Sequence, residues 1–236
     1  MRSLVVPARF NGPARSGNGG WTAGSLATAL EGAAAVTVRL RRPPPLETSM
    51  TVDVTTADGV RTLTASRAGD VVLTATETTT DELTVVPAAS ADQAAGAAEG
   101  FRGLLDHPFP TCFTCGHRRP PGDGLHLAPG PLPDRPDDVA CPWVASDDVD
   151  VATVWAALDC PGGWAVNLPG RPMVLGTMTA AVERLPSPGE ACVVVGRALR
   201  AEGRKAFTAT TLWGPDGEPL ARASAVWLQV DPSAFA

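Results

Sequence analysis

Residues 19–34 read GGWTAGSLATALEGAA, and apart from Thr22, Ser25, Thr28 and Glu31 every residue in this stretch is small or apolar. A helix with so little polar surface must be packed on most of its sides. The glycine pair at its start permits the close approach of another backbone. The stretch therefore predicts a buried central helix rather than an amphipathic helix on the surface.

Segments of alternating apolar and polar residues surround this helix in the first half of the chain. Such alternation is typical of half-buried strands, and Ala57-Asp58-Gly59 indicates a hairpin turn between two of them. The first half is therefore predicted to run strand, helix and then four antiparallel strands. These strands are predicted at residues 3–10, 36–42, 49–56, 60–66 and 70–78.

The second half of the chain repeats this pattern. Residues 152–165 read ATVWAALDCPGGWA and predict another buried helix, which Pro161 is expected to end or kink. Ala29-Leu30-Glu31-Gly32 of the first half aligns with Ala157-Leu158-Asp159-Cys160 of the second. Further strands are predicted at residues 172–182, 191–199, 205–213 and 220–230.

This repetition predicts an α+β chain that contains two copies of one structural unit. The first unit is placed at residues 1–87 and the second at residues 106–236. Residues 88–105 are rich in alanine and glycine and are predicted to be a linker with a short helix.

The composition excludes several classes of protein. The chain has 236 residues, of which 44% are hydrophobic, enough to form a folded core. Its net charge of −6 gives no basic field for nucleic acid. Its longest apolar runs fall short of the roughly 18 residues that a membrane span needs. Five cysteines are too few for a disulfide scaffold, so we expect a cytoplasmic protein with neither nucleic acid nor membrane as partner.

The order of one buried helix and a long antiparallel meander resembles the hotdog fold. Two copies in one chain resemble the double-hotdog, type II acyl-CoA thioesterases. The residues that carry the likeness are 19–30 and 36–42 in the first half and Trp155–Asp159 in the second. In addition, Cys112-Phe-Thr-Cys115-Gly116 is similar to the segment that opens many phenylacetate-type hotdog thioesterases. The resemblance implies a double hotdog, with an antiparallel sheet wrapped around a central helix in each repeat.

The chemistry that the resemblance implies is hydrolysis of a thioester to coenzyme A or acyl carrier protein, with no cofactor. Asp159 falls at the position of the family's acid and is expected to act as the base. Asn18-Gly19-Gly20 stands where phenylacetate-type members have His-Gly-Gly, so Gly20 and its neighbours are expected to supply N–H donors to the oxyanion. Unpaired N–H groups at a helix start suit a developing negative charge. One composite site per chain follows.

Other residues are weaker candidates for this site. The long double-hotdog thioesterases pair their acid with a threonine and a glutamine, whose positions fall near Leu175 or Thr177 and at Ala225. Of these three residues, Thr177 is the candidate for a catalytic role. The substrate-binding candidates are Gly19, Trp21, Trp155 and Glu31, although a tryptophan on a buried helix is more often part of the core. The alternative is a non-catalytic acyl-thioester binding or scaffold protein that kept the fold and lost the polar network.

The cysteine pattern leaves one further alternative. Cys112-x-x-Cys115-Gly116 resembles half of a zinc knuckle, with His107, His117, His126 and Cys141 as candidate further ligands. A structural zinc site usually shows a second cysteine pair, and the sequence contains none. We therefore predict no metal.

Since hotdog units normally pair and one chain already contains a pair, a monomer and a homo-oligomer both remain open.

Overall fold

A computed structural model of the chain describes residues 2–166 and 171–231. The first helix, α1, spans Gly19–Ala27. Asn18 is its N-cap, and the Asn18 side chain accepts a hydrogen bond from the Trp21 N–H. The helix ends at Ala27, earlier than the apolar stretch of the sequence indicated. Its end is followed by turns that reach Gly32, which has a φ of 81° and so cannot continue a right-handed helix.

The first unit has the predicted order of strand, helix and four strands. The predicted strand at 3–10 is shorter, because Pro7 is followed by a 3₁₀ turn at Ala8–Phe10. The five strands are β1 (Arg2–Leu4), β2 (Ala35–Leu40), β3 (Met50–Ala57), β4 (Val60–Arg67) and β5 (Asp70–Thr78).

Residues 88–105, predicted as a linker, contain helix α2 (Ala91–Glu99) and a 3₁₀ turn at Arg102–Leu104. Ser90 and Gln93 form a reciprocal capping box at the start of α2. The helix buries Ala94 and Ala97 in a small cluster with residues of the second unit. By its packing, this segment therefore belongs with the second unit.

The described residues of the second unit form one long helix and six strands. The predicted strands after residue 171 are all present, with ends that differ by at most three residues. Two further strands lie in the proline-rich region before the helix, where Pro136 and Pro142 obscured the alternation. The elements are β6 (Gly130–Leu132), β7 (Arg135–Val144), α3 (Val151–Ala165), β8 (Met173–Val182), β9 (Ala191–Glu202), β10 (Lys205–Trp213) and β11 (Pro219–Gln229).

Helix α3 continues through Pro161 to Ala165, so the helix does not end at that residue as one of the two predicted outcomes had it. Proline removes one backbone hydrogen bond, but every residue from Ala152 to Trp164 is buried, and packing on all sides stabilises the helix. Gly162 and Gly163 let it lie close to the sheet, because a Cβ atom there would meet Thr208 and Trp227 at 2.7 Å. As a consequence, Asp159 lies within the helix and not at its end.

The strands of both units form one antiparallel sheet of eleven strands in the order β1-β3-β4-β5-β2-β8-β11-β10-β9-β7-β6. The units join where β2 pairs with β8, with Val36 opposite Ala180 and Arg39 opposite Thr177. The two central helices pack directly against each other. A Cβ atom on Gly24 would lie 2.7 Å from the Trp155 Cβ, so only glycine permits this approach.

One large hydrophobic core connects the two helices with the sheet, and it includes Leu26 from α1 and Leu158 from α3. The arrangement confirms the predicted α+β class with two units, each with its own central helix. Within residues 2–166 and 171–231, no helix combines the length and the apolar character needed to cross a membrane.

Candidate active site

The two central helices meet at a hydrogen bond between Gly20 and Asp159. The Gly20 N–H, in the first turn of α1, donates to Asp159 Oδ2 at 2.8 Å. A Cβ atom on Gly20 would lie 2.5 Å from the Asp159 Cβ and 2.6 Å from the Trp155 carbonyl oxygen. Glycine is therefore required for this contact, and the contact joins a backbone donor of one repeat to a carboxyl group of the other.

Asp159 is buried, with 3% of its surface exposed. Burial raises its pKa to about 7, against the opposing effect of the Gly20 hydrogen bond, and the nearby Cys112 sulfur raises it further. Its second oxygen, Oδ1, is buried and has no hydrogen-bond partner in the described part of the chain. A carboxyl group held by one oxygen, with the other unpaired, is suited to exchange a proton with a bound molecule.

The side chain of Asn18 links the start of α1 to neighbouring segments through hydrogen bonds. Its Oδ1 accepts from the Trp21 N–H at 2.8 Å, and its Nδ2 donates to Thr114 Oγ1 at 3.2 Å and to Cys112 Sγ at 3.6 Å. Thr114 in turn donates to the Ala156 carbonyl of α3 at 3.1 Å. One buried amide therefore ties the first turn of α1 to the segment at 112–114 and, through it, to α3.

The N–H of Gly19 is the unused donor at this helix start. Gly19 is the first residue of α1, and its N–H donates to no other residue within 2–166 and 171–231. A Cβ atom on Gly19 would lie 2.8 Å from the Leu175 Cβ. An unpaired N–H at the positive end of a helix dipole is suited to an anionic oxygen.

A cavity of about 190 Å³ opens beside these groups. Asn18, Gly19 and Asp159 line it on the side of the helices. Its apolar lining includes Leu40, Phe109, Met173, Leu175 and Trp227, and the exposed Arg41 and Arg42 also border it. The cavity thus combines an apolar lining, one buried carboxyl group and one free backbone donor.

Three cysteines line the same cavity. The Sγ atoms of Cys112, Cys115 and Cys160 lie within 4.8 Å of one another, and those of Cys112 and Cys160 are 3.7 Å apart. Hydrogen bonds from the Cys115 and Cys160 thiols hold the pKa of Cys112 well below its usual range. The approach of Cys160 to the other two could not be predicted, because it lies 45 residues beyond Cys115 on a different element.

The structure does not bring every predicted residue to the cavity. Trp155 is buried against Gly24 in the contact between the helices, and Trp21 stacks on Phe10 with ring centroids 3.9 Å apart. Glu31 is exposed beyond the end of α1. None of these three residues lines the cavity beside Asp159.

Thr177 lies on the outer face of the sheet. A bulge leaves Gly176 without a partner, since Leu175 pairs with Trp227 and Thr177 with Val226. The bulge changes the alternation, so Leu175 contacts α1 while Thr177 lies opposite the exposed Arg39 on β2. The threonine position that the resemblance implied therefore does not bring a hydroxyl group to Asp159.

Only one composite site is formed by the described residues. The repeat position equivalent to Asp159 in the first unit is Glu31, which is exposed. The start of α3 carries no glycine pair, and the Asp150 side chain accepts from the Thr153 N–H at 2.7 Å. Because a carboxylate already occupies that helix start, it is not suited to bind a second anion.

Replacing Asn18 with alanine tests how firmly the first turn of α1 is held. Asn18→Ala is expected to lower the free energy of unfolding by about 2 kcal/mol, because it removes a helix cap and leaves buried partners unpaired. Ser90→Ala is the matched control, since Ser90 caps α2 at the surface and is expected to cost about 1 kcal/mol. Urea denaturation measures both, and an Asn18 variant no less stable than the Ser90 variant would contradict this assignment.

Comparison with known proteins establishes the fold. Neither a protein-family model nor a curated protein matches the sequence. Among solved structures, the TesB protein of Mycobacterium avium subsp. paratuberculosis matches with a TM-score of 0.63 at 12% identity, over 97% of this chain and 91% of its own. Acyl-CoA thioesterase II TesB2 of Mycobacterium marinum matches with a TM-score of 0.55 at 16% identity, over 99% and 94%.

A conserved protein with a hot dog fold from Alicyclobacillus acidocaldarius is also similar, with a TM-score of 0.58 at 20% identity over 98% of this chain and 93% of its own. These likenesses extend along nearly the whole chain and agree with the eleven-stranded sheet and its two central helices. The chain is therefore a double-hotdog protein, as the sequence predicted.

Proposed function

We propose that this double-hotdog protein hydrolyses thioesters of coenzyme A or of an acyl carrier protein. The observation that carries the proposal is the hydrogen bond from the Gly20 N–H to Asp159 at 2.8 Å, beside a largely apolar cavity. It joins an acid of one repeat to the helix start of the other. The same two residues, Gly20 and Asp159, are the ones that the resemblance to double-hotdog thioesterases implies.

In the proposed reaction, Asp159 is the general base. A water molecule attacks the thioester carbonyl carbon while Asp159 takes one of its protons. The carbonyl oxygen becomes an oxyanion, which the Gly19 N–H and the α1 dipole stabilise. The Gly20 N–H already donates to Asp159, and so it orients the base. Collapse of the intermediate breaks the carbon–sulfur bond, and the leaving thiolate takes the proton from Asp159.

The cavity suggests which acyl groups are accepted. Its volume of about 190 Å³ is somewhat larger than the roughly 150 Å³ that holds one benzene molecule. We therefore expect short or aromatic acyl groups to be preferred to long ones. The exposed Arg41 also borders the cavity and suits a phosphate of coenzyme A, whereas the guanidinium group of Arg42 donates to Asp70 at 2.9 Å.

The similar structures give this proposal further support. The names of two of them specify TesB or acyl-CoA thioesterase II, and both match this chain over at least 97% of its length. Both halves of the site, Gly20 and Asp159, belong to one chain, so a monomer, as a covalent pseudo-dimer, is sufficient for the proposed reaction. The proposed step requires no cofactor.

A non-catalytic acyl-thioester binding protein is the second candidate. The observation that favours it is that, among the described residues, no threonine or glutamine side chain hydrogen-bonds Asp159. Thr177 lies on the outer face of the sheet, and Ala225 has no polar side chain with which to orient a water molecule. Such a protein would bind the acyl group and leave the thioester intact.

Release of free thiol from a panel of acyl thioesters distinguishes the two candidates. We expect turnover of short-chain and aromatic acyl-CoAs, with smaller kcat/KM for long-chain acyl-CoAs, and an acyl carrier protein with the same acyl groups identifies the carrier. Binding of acyl-CoA in calorimetry without thiol release would support the binding protein instead. Neither binding nor turnover of any thioester would contradict both candidates.

A further inference from the structure

The three cysteines of the cavity have the spacing of metal ligands. A tetrahedral zinc ion holds its sulfur ligands at about 2.3 Å, which puts the sulfur atoms about 3.8 Å apart. The Sγ atoms of Cys112 and Cys160 are 3.7 Å apart, and all three sulfurs lie within 4.8 Å of one another. Small shifts of the Cys115 side chain are enough to bring the third sulfur to this spacing.

The protein holds these sulfurs in place before any metal binds. Cys112 and Cys115 belong to a tight turn in which the Gly116 N–H donates to the Cys112 carbonyl at 2.8 Å. A Cβ atom on Gly116 would lie 2.5 Å from the Cys112 backbone, so the turn requires glycine. Cys160 lies on the fully buried part of α3. Ligands on such rigid elements favour metal binding, because their side chains lose little conformational entropy when the metal binds.

Two N–H donors contact the sulfurs of the cluster. The indole Nε1 of Trp164 donates to Cys115 Sγ at 3.3 Å, and Asn18 Nδ2 donates to Cys112 Sγ at 3.6 Å. N–H donors of this kind are the outer contacts that orient metal ligands. Within residues 2–166 and 171–231, no lysine or arginine hydrogen-bonds these sulfurs, so no cationic side chain competes with a metal ion for them.

His107 is close to the cluster but is poorly oriented as a ligand. Its Nε2 lies 3.3 Å from Cys115 Sγ, while its Nδ1 accepts from the Phe109 N–H at 3.0 Å. In the neutral ring the proton is then on Nε2, whereas a metal-bound histidine donates from its second nitrogen. The ligand set that the structure favours is therefore the three sulfurs, all of which line the cavity.

We propose that Cys112, Cys115 and Cys160 bind one zinc ion, with a fourth, exchangeable position that faces the cavity. Three protein ligands and one open position are the arrangement of zinc sites that bind a small molecule or water. The sequence predicted no metal because it showed only one cysteine pair. The third ligand comes from α3, which the fold brings beside that pair.

Zinc content of the purified full-length chain tests this proposal. The protein is produced in zinc-supplemented medium, kept reduced, purified without chelators and analysed for metal. We expect one zinc ion per chain in the wild type and in Cys192→Ser, the control, whose sulfur is on β9 outside the cluster. We expect Cys160→Ser to lose zinc. Wild-type protein without zinc, or a Cys160 variant that retains it as fully as the control, would overturn the proposal.

Cobalt binding keeps the test independent of the folding of any variant. Wild-type protein is stripped of metal under reducing conditions and titrated with Co²⁺, which is then displaced by Zn²⁺. We expect a sulfur-to-cobalt charge-transfer absorption that saturates at one equivalent and disappears with zinc. The lack of that absorption would also overturn the proposal. Neither readout uses thioester hydrolysis, so its failure and that of the proposed function are distinguishable.

Discussion

Asp159→Asn is expected to lower kcat/KM for thioester hydrolysis by a factor of about 10²–10⁴, the usual effect of removing a general base. The amide has nearly the shape of the carboxyl group, and its oxygen still accepts from the Gly20 N–H. It cannot take a proton from water. Because the amide also has no charge to keep buried, the melting temperature is expected to stay equal or rise.

The matched control for this variant is Asp53→Asn. Asp53 is exposed on β3, away from the cavity, and undergoes the same chemical change. Its kcat/KM is expected to equal that of the wild type. If Asp159→Asn hydrolysed thioesters as fast as Asp53→Asn did, Asp159 would not be the base.

Gly20→Ala is expected to damage both stability and activity. The new methyl group would lie 2.5 Å from the Asp159 Cβ and 2.6 Å from the Trp155 carbonyl oxygen, both in the tightly packed contact between the helices. Such overpacking costs about 2–3 kcal/mol of unfolding free energy. The helices must separate to admit the methyl group, which would break the hydrogen bond from the Gly20 N–H to Asp159. The rate of thioester hydrolysis is therefore also expected to fall.

Gly96→Ala is the control, because Gly96 is also a helical glycine but has open space around its Cβ position. There alanine is expected to stabilise the protein by about 1 kcal/mol through its higher helix propensity. Urea denaturation of both variants gives the comparison. A Gly20 variant as stable as the Gly96 variant would show that the helices do not meet at Gly20.

Much of the fold could be predicted because the signals for it are local. The nearly apolar stretches at 19–34 and 152–165 indicated two buried helices, and the alternation between them and beyond them indicated most of the strands. The continuity of α3 through Pro161 could not be predicted, since it depends on burial among strands that are distant in sequence. Strands β6 and β7 were missed because their prolines break the alternation.

The site was only partly predictable for a similar reason. The pairing of Gly20 with Asp159 was expected from the resemblance to double-hotdog thioesterases, together with a lone acid on an apolar helix. The bulge at Gly176, which puts Thr177 on the outer face, has no clear signal in the sequence. The approach of Cys160 to Cys112 depends on the seating of α3 beside the turn at 112–116, which only the folded chain shows.

A structure of the Asp159→Asn variant with a bound acyl-CoA is the sharpest test of the proposed site, because the slow variant retains its substrate. We expect the acyl group to fill the cavity lined by Leu175 and Trp227. The thioester carbonyl oxygen is then expected within hydrogen-bonding distance of the Gly19 N–H, with its carbon beside position 159. Acyl-CoA bound outside this cavity, or with its carbonyl group away from the start of α1, would show that these residues do not form the active site.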